Sequence, residues 1–170
     1  MARLSALTPR ALAGAIVAAS AAPLTAAFVA EYGFDLAPCP LCIWQRYPYA
    51  VAIVLGVLAL VIADRRRAVV ALVALAGLAF AVDSAIAFYH VGVEAGRFEG
   101  LAACRAAGET PATLEELRAQ LFERPPPPRC DAVQWSLFGV SMAGYNMLYA
   151  AGLGVAALAA AASLARGSRP

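Results

Sequence analysis

Four apolar stretches in this chain are each long enough to cross a bilayer as helix, which takes about 20 residues. They cover residues 11–30, 43–63, 68–88 and 140–164. In lipid, an open chain satisfies its backbone N–H and C=O groups only as helix. The pattern predicts an all-α membrane protein, a four-helix transmembrane bundle, with residues 1–170 as a single membrane domain. Hydrophobic residues at 62% and charged residues at 14% lie far from the composition of a soluble domain. A net charge of +2 is too small to suggest nucleic acid, so membrane lipid is the expected surrounding. The first stretch has a basic start at Arg3 and Arg10, like a signal peptide. Its apolar run exceeds the roughly 7–15 residues of a signal core, and it reads as a membrane helix.

Arginine placement gives the orientation. Arg3 and Arg10 precede the first span, Arg65, Arg66 and Arg67 fill the turn between the second and third, and Arg166 and Arg169 follow the fourth. Four alternating helices put all three clusters on one side, which the positive-inside rule makes cytoplasmic. Two loops, roughly 31–42 and 90–137, then lie on the opposite face. They hold all four cysteines: Cys39, Cys42, Cys104 and Cys130. In a bacterium that face is the periplasm, where disulfides persist. The expected location is a bacterial inner membrane, multi-pass, with both termini cytoplasmic and every sulfur periplasmic.

Cys39 and Cys42 form Cys-Pro-Leu-Cys at the mouth of the second span. A disulfide across so small a loop constrains the unfolded chain little, so such a pair is more often redox-active than structural. Cys42 falls at or just inside a helix start, whose unpaired N–H groups and partial positive charge favour a thiolate. Arg46 follows one turn deeper on the same face. Four cysteines allow three pairings. Redox exchange is favoured over two structural disulfides. It is also favoured over a four-thiolate zinc site, because Cys104 and Cys130 lack the close spacing of a second ligand pair. No metal site is expected.

The second loop has its own pattern. Residues 110–123 read as a short amphipathic helix, capped by Thr110 with Pro111 in its first turn. Leu114, Leu117, Leu121 and Phe122 share one face, which either lies on the bilayer or packs on the bundle. Pro125–Pro128 favour an extended spacer before Cys130, and Gly96, Gly100 and Gly108 flank Cys104. Two mobile arms carrying Cys104 and Cys130 suit a disulfide that opens and re-pairs.

Among other polar residues, Arg46 is either a snorkelling side chain or a donor to a quinone carbonyl. His90, the only histidine, is either a wetted interfacial residue or a second polar contact for the same carrier. Asp83 lies two turns deeper on the same helical face, where a carboxylate is costly and points to function. Protonation, or pairing with Ser84 or Asn146, would accommodate it. Trp44, Tyr47, Tyr89, Trp135 and Tyr145 form an aromatic belt, part of which can line a flat pocket.

In combination these features resemble the DsbB (disulfide bond formation protein B) family. The match rests on four spans, Cys-x-x-Cys opening the second, Arg46 four residues after Cys42, and a two-cysteine loop. Tyr89–Glu94, Cys130-Asp131, Trp135, Phe138–Ser141 and Tyr145-Asn146 also look like the family. The resemblance implies a quinone-dependent thiol oxidoreductase that reoxidises a periplasmic DsbA-type thiol oxidase, drawing on the membrane pool of ubiquinone or menaquinone. It implies that Cys104 forms the mixed disulfide with that partner, that Cys130 is the partner of Cys104 and later exchanges with Cys39, and that Cys42 faces quinone beside Arg46, with His90 near. The rivals are a relative dedicated to another thiol partner, a vitamin K epoxide reductase-like enzyme, and a non-enzymatic scaffold with two structural disulfides.

Overall fold

A computed structural model of the chain describes residues 8–105, 113–122 and 128–166. Helix α1 (Pro9–Gly33) starts at Thr8, whose hydroxyl accepts the N–H of Ala11, and has proline in its first turn. Proline inside a helix leaves the carbonyl four residues back without a donor. Pro23 does this to Ala19, and the Tyr149 hydroxyl from across the bundle donates to that oxygen at 2.9 Å.

The second span runs from Pro40 to Val61 in two pieces, α2 (Pro40–Trp44) and α3 (Arg46–Val61). The break at Gln45 follows from Pro48, which withholds an N–H and crowds the Trp44 carbonyl. Helix α4 (Arg66–Glu94) outruns the expected end at residue 88 by a turn and a half. The added turns bury His90, Gly92 and Val93, so packing rather than lipid length sets where α4 stops. Short helices α5 (Ala102–Arg105) and α6 (Leu114–Phe122) follow. A two-residue hairpin, β1 (Ser136–Leu137) with β2 (Val140–Ser141), then leads into α7 (Met142–Arg166). Its corner, Phe138-Gly139, has φ of 50° and 78°, the sign that a tight hairpin turn requires.

All four spans, Pro9–Gly33, Pro40–Val61, Arg66–Glu94 and Met142–Arg166, are long and apolar enough to cross a membrane. The fold is the expected all-α bundle. Helix α4 packs chiefly on α7, and α3 packs on α1 and α4. The core is built largely from small residues, with Ala13, Ala52, Ala76 and Ala150 fully buried around Tyr49 and Phe80. Small residues bring backbones close. A Cβ on Gly77 would lie 2.9 Å from Leu158 Cγ of α7.

One end of the bundle is basic. Arg66 donates to the Leu164 carbonyl at 2.8 Å and Arg10 pairs with Asp64, which draws three of the expected arginine clusters together. Arg3 and Arg169 lie outside the described residues. The cysteines occupy the opposite end. There, α6 begins at Leu114 rather than at Thr110. Thr113 caps it in a reciprocal pair, its hydroxyl accepting the N–H of Glu116 while Glu116 accepts the N–H of Thr113. Thr110, Pro111, Gly108 and Pro125–Pro127 fall outside the described residues. Of the expected apolar face of α6, Leu114, Leu117 and Phe122 are exposed.

Candidate functional site

The Cys-Pro-Leu-Cys turn folds as a helix cap. Cys39 is the N-cap of α2 with Pro40 at the first helical position. Its sulfur accepts the backbone N–H of Cys42 at 3.2 Å and lies 2.9 Å from the Cys42 sulfur. The helix start therefore acts on Cys39, not on Cys42 as the sequence spacing suggests. Both thiols are free. The Cys42 thiol donates to Cys39, and the His90 ring and Cys42 N–H add to this. Together they outweigh burial and hold the Cys39 thiol down at about 5. A proton shared unequally between two close sulfurs leaves one of them a nucleophile at neutral pH.

Cys104 and Cys130 are joined in a disulfide with their Cα atoms 5.3 Å apart. Both are buried, and they pack in one cluster with Cys39, Leu41 and Val93, with Cys42 and Tyr89 at its edge. In this state the loop pair is docked on the helix pair rather than carried free on two arms. Two features hold it there. Phe98 folds back over Gly92 and stacks on Tyr89, whose hydroxyl donates to the Glu99 carbonyl. Gln134 donates to the Ala37 carbonyl at 2.8 Å and ties the Cys130 segment to the Cys39 loop.

Below the sulfurs lies a cavity of about 710 Å³. Cys39, Cys42, Arg46, His90, Trp135 and Tyr145 are among its lining residues. Its size is that of a small-molecule site. Arg46 pairs with Glu31 at 2.6 Å, and its guanidinium sits 4.9 Å from the centre of the Phe28 ring. Its Nε is buried with no partner among the described residues, a donor left over at the cavity wall. Of the aromatic belt, Trp135 and Tyr145 line the cavity, whereas Trp44 and Tyr47 face outward.

His90 belongs to a buried polar chain that sequence reasoning met only in part. His90 Nε2 lies 3.6 Å from the Cys39 sulfur and 3.9 Å from Glu94 Oε1. His90 Nδ1 lies 2.9 Å from the side-chain nitrogen of Gln45. Asn146 donates to Gln45 Oε1 at 2.8 Å and to Asp83 Oδ2 at 2.9 Å, and accepts from the Tyr49 hydroxyl at 2.7 Å. Asp83 thus takes Asn146 as its partner, one of the two expected, while Ser84 donates to the Met147 carbonyl. Gln45 escaped the sequence reading, and Glu94 entered it only as the end of the Tyr89–Glu94 string, with no role. Their signal was present, since polar side chains within a membrane helix are costly unless partnered.

Cys39, Cys42 and His90 also place three ligand atoms within 4.8 Å of one another. The Cys104–Cys130 bond withdraws the other two sulfurs from a four-thiolate site.

A model of the family described as Disulfide bond formation protein DsbB matches residues 9–160. A protein of Rickettsia prowazekii (strain Madrid E), named Uncharacterized protein RP370, is 31% identical over 134 residues, covering 78% of this chain and 76% of that protein. No solved structure matches the chain.

Proposed function

The chain belongs to the DsbB family of disulfide bond formation proteins, and from that premise we propose that it reoxidises a DsbA-type thiol oxidase and delivers the electrons to membrane quinone. Residues 1–170 act as one membrane domain. It sits in a bacterial inner membrane with the arginine-rich end and both termini cytoplasmic and the sulfurs periplasmic. A bacterial periplasm is kept oxidising by a DsbA–DsbB–quinone chain, a known property of that compartment.

The observation that carries the reading is the meeting of four sulfurs in one cluster above an apolar cavity with a spare cationic donor. The partner's thiolate attacks Cys104, forms a mixed disulfide and releases Cys130. The partner's second thiol resolves that bond, leaving with a disulfide and reducing both loop cysteines. Cys130 then attacks Cys39 of an oxidised Cys39–Cys42 pair, and Cys104 closes on Cys130 again. The outcome is an intact Cys104–Cys130 bond over two free thiols at Cys39 and Cys42, the state in this structure.

Quinone in the cavity supplies the acceptor for the two electrons and two protons released when Cys39 and Cys42 rejoin. Arg46 would hold an oxygen of the ring, with His90 near it on the cavity wall beside the Cys39 sulfur. The orphaned Arg46 Nε fits a carbonyl acceptor, and the Trp135–Tyr145 wall fits a flat ring. Cys42 lies nearest this chemistry, and the Cys39 thiolate is stabilised by the helix start and by Cys42.

Anaerobic mixing of the purified protein with quinone and a reduced DsbA-type oxidase tests this, read by quinone absorbance. We expect stoichiometric loss of quinone together with oxidation of the partner, and no quinone loss with Cys42→Ser. Quinone unchanged in the presence of wild-type protein contradicts the reading.

A further inference from the structure

The hydrogen bonds around His90 can be assigned direction by their far ends. Amide nitrogens and oxygens are told apart only by their partners. Gln45 is anchored by the Leu41 backbone carbonyl, which lies 3.2 Å from its side-chain nitrogen and can only accept. Its other N–H therefore points at His90 Nδ1, 2.9 Å away. At the opposite end, Gln45 Oε1 accepts from Asn146. Asn146 spends its two N–H groups on Gln45 and Asp83, and its oxygen accepts from Tyr49. Every amide hydrogen in this chain is used once. Reversing Gln45 would set its oxygen against the Leu41 carbonyl and its nitrogen against the Asn146 nitrogen.

The ring is asymmetrically surrounded in consequence. Nδ1 faces a donor. Nε2 faces the Cys39 sulfur at 3.6 Å and Glu94 Oε1 at 3.9 Å, both acceptors, with the Cys130 backbone also beside the ring. We infer that Gln45, locked by Asn146 and Asp83, is a positioning residue that fixes His90 in the Nε2–H tautomer and aims that hydrogen at Cys39. The consequence for the proposed redox site, on which this inference rests, is that His90 serves Cys39 as a fixed hydrogen-bond donor. Asp83 has a matching role. Its carboxyl is the terminal acceptor that sets the polarity of the chain, and two carboxamides stand between it and the ring. Carboxamides hold an orientation well and pass protons poorly, so the chain orients rather than conducts.

His90 is the only histidine, so selective 15N-histidine labelling yields one pair of ring signals with no assignment step. The experiment uses the full chain in lipid nanodiscs with Cys39 and Cys42 reduced. In wild-type protein we expect a protonated, pyrrole-type Nε2 and a bare, pyridine-type Nδ1. Gln45→Met removes the donor to Nδ1, and both nitrogens should shift to intermediate values as the tautomers mix. Asp83→Asn keeps an oxygen for Asn146 and should preserve the wild-type pattern. A proton on Nδ1 in the wild type overturns the inference, as does a Gln45→Met spectrum identical to wild type. Should Gln45→Met fail to fold, the wild-type spectrum still decides. The readout needs neither quinone nor turnover. A protein inactive toward quinone but bare at Nδ1 loses the proposed function and keeps this inference, and full activity with Nδ1 protonated does the reverse.

Discussion

The chemistry of the site turns on one sulfur. The Cys39 sulfur lies 2.9 Å from that of Cys42, accepts the Cys42 N–H and faces His90, and the Cys39 thiol is held down at about 5. A lowered value means that the thiolate is populated from about pH 5 upward and is lost as pH falls through that point. Alkylation of Cys39 in the reduced protein should therefore be nearly flat at neutral pH and fall off in acid, followed by mass spectrometry of the Cys39 peptide. In Cys42→Ala the largest stabilising contact is gone, and the midpoint should climb toward the ordinary thiol value of about 8.5. A wild-type midpoint already in that range contradicts this. The four cysteines, Arg46 and His90 were all legible in the sequence because thiols, a lone histidine and a membrane-edge arginine are rare and chemically specific. Which thiol the helix start favours was not legible. Cys39 became the cap through the backbone angles set by Pro38 and Pro40, and motif spacing does not encode those angles.

At the element scale, hydropathy placed all four spans, and their ends moved for local reasons. Pro48 split the second span at Gln45, and Pro23 made Ala19 depend on Tyr149. Helix α4 ran on to Glu94 because its last turns bury side chains against the cysteine cluster. The exit from α4 is the clasp that docks the loop disulfide. The backbone N–H groups of Arg97 and Phe98 donate to the Gly92 carbonyl, and a Cβ on Gly92 would overlap the Phe98 ring. Gly92→Ala should expel that ring, at a cost of about 1–3 kcal/mol typical of overpacking. It should lower the midpoint of thermal unfolding in detergent and speed reduction of Cys104–Cys130 by a soluble thiol. An unchanged midpoint and an unchanged reduction rate would remove the clasp from the account. Sequence offered Gly96 and Gly100 as signs of pliability. It could not offer the ring that closes over Gly92, since that contact depends on the path of the turn.

At the scale of the whole molecule, the bundle separates an arginine-rich end from a sulfur-rich end, and the loops bring residues far apart in sequence over one cavity. Cys130 reaches Cys39 across most of the chain, and both cysteines are almost fully buried. A bundle with two inert staples has no need of that meeting, whereas a relay requires it. The most direct measurement isolates the step. In the Cys42→Ala, Cys104→Ala double variant only Cys39 and Cys130 remain. After mild oxidation in native membranes, non-reducing peptide mapping should find them joined to each other within one chain. Two free thiols, or a bond formed only between chains, would contradict a relay that passes from the loop to the membrane through Cys130 and Cys39.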